Sequence, residues 1–133
     1  MFTPVSTRAA SAYQRVGVET SVHGADPHQL VVLLFDSLLD SLSKVAGAMV
    51  RGDIQEKSRY LNKAIQILDE GLRSVLDEEQ GGEVAKSLNA LYGYSVIELT
   101  KANFNNSPEA VHSVIALIRP VAEAWKAIRP QSR

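Results

Sequence analysis

Two stretches of this chain repeat their apolar residues with a helical rhythm that no strand could use. Leu61, Ile65, Leu68, Leu72 and Val75 follow one another at steps of 4, 3, 4 and 3. Val111, Val114, Ile118, Val121, Trp125 and Ile128 step 3, 4, 3, 4 and 3. Such spacing lines up one side of a helix as a seam that faces other helices across a bundle. No strand-like alternation of useful length occurs anywhere in the chain.

The ends of the helices are also written in the residues. Asp26-Pro27-His28-Gln29 supplies an N-cap acceptor, a proline at the first helical position and a glutamine that can return a bond to the cap. Asp53-Ile54-Gln55-Glu56 is a second capping box, just after Gly52 closes the preceding helix. Ser107-Pro108-Glu109 opens a last helix, which Pro130 ends. Gly81-Gly82 breaks the chain ahead of Glu83. The sequence therefore predicts an all-α antiparallel bundle of four long helices over about 27–51, 54–78, 83–104 and 108–129. Each is roughly 33–38 Å long at about 1.5 Å per residue, and connections this short set neighbours antiparallel. Pro120 falls inside the last helix; the seam runs on through it, which favours a kink over a break.

Residues 1–25 differ in kind. They are rich in Ser, Thr and Ala, and only Ala9, Tyr13 and Val16 share a weak apolar face. A helix that short is marginal in water. The organisation expected is a mobile N-terminal segment over 1–25 that is either a tail or a cover, the bundle over 26–130, and a tail over 131–133.

A bundle helix needs one apolar face, yet several here carry more. In the first helix the seam is Val31, Leu34, Phe35, Leu38, Leu42, Val45 and Met49, while Val32, Leu39 and Val50 form a second stripe. In the second, Tyr60 and Ile67 lie off the seam. In the third, Val84, Leu88, Leu91, Tyr92, Leu99 and Ala102 share one face, with Ala90, Tyr94 and Ile97 on the other. In the fourth, Leu117 lies off it. Such residues either cover an asymmetric bundle or build a groove for an apolar partner helix. Tyr13, Val32, Leu39, Val50, Tyr60, Ile67, Tyr94, Ile97 and Leu117 are the candidate contacts for that partner.

Composition excludes other functions. A formal charge of −1 gives no basic field for a phosphate backbone, so nucleic acid is not the expected partner. No cysteine is present, which removes disulfides, thiolate metal sites and cysteine catalysis. No apolar run approaches the roughly 18 residues of a membrane span, and residues 1–16 lack the apolar core of a secretory signal. A protein that stays in the cytoplasm is expected. Glu109-x-x-His112 has the spacing of di-iron bundles but stands alone, where two such pairs and further glutamates are needed. His23 and His28 read as solvent-facing, and the Asp36/Asp40 and Glu79/Glu83 pairs as solvated faces. No cofactor, metal or catalytic residue is predicted, and a ferritin-like enzyme is the rival reading.

One ordered set of segments goes further than chemistry. Tyr13-Gln14, Ala25-Asp26-Pro27, Leu33-Leu34-Phe35-Asp36, Lys63-Ala64 with Ile67, Leu72-x-x-Val75-Leu76-Asp77, then 81–103 (GGEVAKSLNALYGYSVIELTKAN) and a helix ending near Trp125 resemble the flagellin-specific export chaperones, the FliS family. Phe35, Ser37 and Glu98 depart from the family's usual tyrosine, glycine and basic residue. The resemblance implies an ATP-independent chaperone that wraps the disordered C-terminal segment of flagellin around the bundle. It would prevent premature polymerisation and deliver the subunit for type III flagellar export, with the gate protein FlhA as a further partner. The resemblance also favours residues 1–20 as a strap displaced by the client, and leaves self-association of the client-free chain open. The alternative is a helical adaptor or regulator with an unrelated amphipathic-helix partner.

Overall fold

The computed structural model describes residues 26–128 together with Ser11. Four helices follow one another: α1, Pro27–Arg51; α2, Ile54–Gln66, prolonged by a π-helical stretch Ile67–Leu72 and a 3-10 turn Arg73–Val75; α3, Glu78–Asn105; and α4, Pro108–Ala127. The caps form as the residues require. Asp26 Oδ1 accepts from the Gln29 amide at 2.7 Å, Asp53 Oδ1 from Glu56 at 3.1 Å, and Ser107 Oγ from Ala110 at 3.1 Å. Each satisfies an N–H that the first turn cannot pair within the helix. Gly52 turns left-handed after α1, and Asn106 does the same after α3 at φ 49°.

Three boundaries differ from expectation. α2 ends at Val75 because Leu76 goes extended (φ −72°, ψ 139°). α3 begins at Glu78, since Asp77 caps it by accepting from the Glu79 and Gln80 amides; the double glycine then bends the helix at Gly82 (φ 55°, ψ −131°) and does not precede it. α4 ends at Ala127, with Ile128 already extended. Pro120 lies within an unbroken α4. The expectations for residues 1–25, Pro130 and the tail lie outside the described residues.

The helices form an up-and-down bundle. α1 packs along α2 and α4; α3 packs along α4 and the tail of α2. α1 and α3 stand diagonally and meet through Phe35 and Tyr92, whose ring centroids are 6.5 Å apart. Leu34, Leu38, Leu42, Val45, Leu68, Leu72, Leu99, Val111 and Ile118 are fully buried between them. Burying each such side chain is worth about 1.5–3 kcal/mol, so this core carries the fold. Arg73 ties the tail of α2 to α3: its Nε donates to Asn89 Oδ1 at 2.8 Å while Nη1 pairs with Asp69 at 3.0 Å.

An apolar groove at the open end of the bundle

Each end of the bundle holds a pocket: a partly polar one of about 290 Å³ at Gly52, Asp53, Lys57 and Asn106, and an apolar one at the opposite end. At the apolar end α2 stops early at Val75, Leu76 is extended, and α3 is bent at Gly82. The apolar residues that should complete the seam there do not close on one another. They line a groove of about 320 Å³. Val31 and Phe35 come from α1, Leu72 and Val75 from α2, Val84, Leu88 and Tyr92 from α3, and Val121 and Trp125 from α4. Val84 is 68% exposed, although sequence spacing places it on the core face.

One wall is held in place by an aromatic clasp. The His28 and Trp125 rings stack with centroids 5.2 Å apart. Trp125 Nε1 donates to the His28 carbonyl at 3.2 Å, and His28 Nε2 lies 2.7 Å from the Trp125 carbonyl. A carbonyl only accepts, so Nε2 carries the proton. His28 is thus half-buried and bonded, which corrects its reading as solvent-facing. Nearby Lys126 pairs with Asp36 at 3.0 Å, and Lys44 with Asp40 at 3.1 Å. All four of these side chains are half-exposed, and such pairs contribute little.

The floor of the groove includes Tyr92, buried at 2% exposure. Burial lifts its phenol well above the usual tyrosine range. Its hydroxyl finds no hydrogen-bond partner among the described residues.

A second apolar surface lies on the opposite side of α3. At about 100° per residue, Ala90, Tyr94, Ile97 and Phe104 share one outward line with Lys101 between the last two. Tyr94 is 51%, Ile97 57% and Phe104 89% exposed. The line keeps a 4, 3, 4, 3 spacing from Ala90 to Phe104, so α3 carries a helix-packing seam with no partner among the described residues.

The nine candidate contacts separate in space. Tyr94 and Ile97 sit on that outer seam. Val50 and Leu117 are exposed on α1 and α4. Leu39 and Tyr60 are half-buried against the core, with the Lys44 and Arg59 cations each 5.0 Å from the Tyr60 ring. Val32 is buried, and Ile67 is buried completely, which corrects their placement off the seam. The buried arc of α2 and its π-helical stretch runs through Leu61, Ala64, Ile67, Leu68, Gly71 and Leu72. Tyr13 lies outside the described residues. None of the eight described candidates lines the groove.

Among the described residues no group of three or more His, Asp or Glu could hold a metal ion, and no helix is long and apolar enough to cross a membrane. Glu109 and His112 are both exposed.

Comparison with known proteins fits this geometry. The family model described as flagellar protein FliS matches residues 9–132. The chain is 42% identical to the flagellar secretion chaperone FliS of Salmonella typhimurium over 91% of its own length and 90% of that protein's. Identity to the Escherichia coli FliS is also 42%, over 91% of this chain and 89% of the relative. The Pseudomonas aeruginosa chaperone FliSB is 40% identical, over 91% and 95%.

Proposed function

The chain belongs to the FliS family, and from that membership we infer that it is a flagellar secretion chaperone whose client docks in the apolar groove. It acts by binding and not by catalysis. The client is the C-terminal segment of flagellin, held as helix so that its own aggregation-prone surface is covered before export. The observation that supports this most is the groove itself: apolar walls contributed by all four helices around an open space of about 320 Å³. An amphipathic helix laid in such a groove gains affinity from apolar burial alone. The seam of Ala90, Tyr94, Ile97 and Phe104 takes a second segment of the same client. Because groove and seam lie on opposite sides of α3, one client that uses both must pass around the helix. Residues 1–25, with Tyr13, cover the groove until the client displaces them. The chaperone works in the cytoplasm and hands its client to the export gate protein FlhA. Without client, the same apolar surfaces are what a second copy would meet.

Calorimetric titration of the full chain with a flagellin C-terminal peptide from the same source tests this reading. Val84→Asp and Ile97→Asp place a charge on the groove and on the seam, and both positions are exposed enough to leave the melt nearly unaltered. Each variant is expected to bind about tenfold more weakly or worse. Wild-type affinity in Val84→Asp would remove the groove from the client site. Wild-type affinity in Ile97→Asp would remove the seam.

A further inference from the structure

Tyr92 is a deep polar residue of the groove whose hydroxyl the described residues leave unused. The other polar groups around it are accounted for. Asp77 accepts from the Glu79 and Gln80 amides, Trp125 Nε1 donates to the His28 carbonyl, and Gln80 stands exposed to water. The Tyr92 residue is 2% exposed and contributes to the groove lining, yet its hydroxyl has no partner among the described residues. A phenol withdrawn from water without a partner destabilises the chain that holds it. Phenylalanine at this position would keep the tilted ring contact with Phe35 and remove that penalty.

We infer that the Tyr92 hydroxyl is a specificity-determining contact, donating a hydrogen bond to a neutral side-chain oxygen of Asn, Gln, Ser or Thr on the otherwise apolar face of the client helix. The inference rests on the reading of the groove as the client site. The acceptor has to come from a side chain, because the carbonyls inside a helix are already paired along its axis. It has to be neutral. The apolar walls that raise the Tyr92 pKa also penalise a carboxylate, and Asp77 at the rim repels one. A wholly aliphatic helix fills the same volume but leaves the hydroxyl buried deeper and unpaired, so the site discriminates against it.

The test is a double-mutant cycle on the full chain. The probe is a flagellin C-terminal peptide from the same source, with each Asn, Gln, Ser and Thr replaced in turn by alanine. Tyr92→Phe is expected to melt at or above the wild-type temperature and to bind the parent peptide about 2- to 10-fold more weakly. One peptide substitution should lower wild-type affinity by a similar factor and have no further effect on Tyr92→Phe. A lower melting temperature with unchanged affinity would show a hydroxyl that serves the fold, and would overturn the inference. Equal peptide affinity for wild type and Tyr92→Phe would overturn it while leaving the groove reading intact. No binding by the wild-type chain would sink both.

Discussion

His28 and Trp125 each bond to the other's backbone carbonyl while their rings stack, so that the first turn of α1 and the last turn of α4 form one unit. The residues are 97 apart in sequence. Trp125 is also a wall of the groove, and the clasp therefore sets where that wall stands. His28→Ala removes the stack and the Nε2 hydrogen bond. It is expected to cost about 1 kcal/mol of stability. Trp125 is the chain's one tryptophan, so its fluorescence reports the change directly. The emission should shift to the red as the indole meets water; an unshifted spectrum would mean that the ring is held without His28.

Gly82 bends α3 beside the groove with φ 55° and ψ −131°, a conformation that L side chains rarely adopt. A Cβ added there would meet nothing within 4 Å. The cost of Gly82→Ala is therefore conformational and not steric, of order 1–3 kcal/mol. A denaturant melt measures it. A neutral outcome would mean that the bend relaxes freely, and the open shape of the groove would then not depend on glycine.

Much of this fold is legible in the residues. Three capped starts and the two long seams follow from side chains that act within one or two turns, and such local signals survive folding. The groove is not legible in that way. Val75, Val84, Leu88, Val121 and Trp125 carry the same spacing as true core residues, and only the early end of α2 and the bend at Gly82 leave them open. That depends on how far four helix ends stand apart, which periodicity does not encode. Phe104 is a different omission. Its 4-3 relation to Tyr94 and Ile97 was readable, with Lys101 interrupting the apolar line.

Ile67 shows the same limit from the opposite side. Large residues alone suggest a seam through Leu61, Ile65, Leu68 and Leu72, which leaves Ile67 outside it. Ile67 nevertheless stands at 0% exposure, on one buried arc with Ala64 and Gly71. Ile67→Ala is expected to cost about 2–5 kcal/mol, as befits a core position. Chemical denaturation should show a lower midpoint with an unchanged slope. A loss below about 1 kcal/mol would place Ile67 at a site able to collapse around the missing atoms.

Tyr92 gives the chain an alkaline limit. Burial raises its pKa above that of an unfolded tyrosine, near 10. As pH rises past that value the unfolded chain releases the proton and the folded chain retains it. The unfolded state then binds fewer protons, and stability falls with further rise in pH. Below pH of about 10 both states hold the proton, and this contribution is complete. Tyr92→Phe removes the group, so its melting temperature should fall less steeply than wild type above that pH. Parallel curves would show that the ring titrates normally in the fold.

Client binding should carry the signature of apolar burial with few charges involved. The groove walls and the outer seam of α3 are dominated by aliphatic and aromatic side chains, and the chain's formal charge is only −1. Removing such surface from water gives a negative heat-capacity change. Ordering a disordered segment as helix adds to it, because more apolar area is buried as the segment folds. Ion pairs such as Lys126 with Asp36 are half-exposed and screened by salt, so they contribute little to the affinity. Titrations of a flagellin C-terminal peptide at several temperatures should therefore give an enthalpy that becomes more negative on warming. The dissociation constant should change little between low and physiological salt. A flat enthalpy, or affinity that collapses with added salt, would point to a polar, charge-guided contact and place the client on a surface other than the groove and the seam.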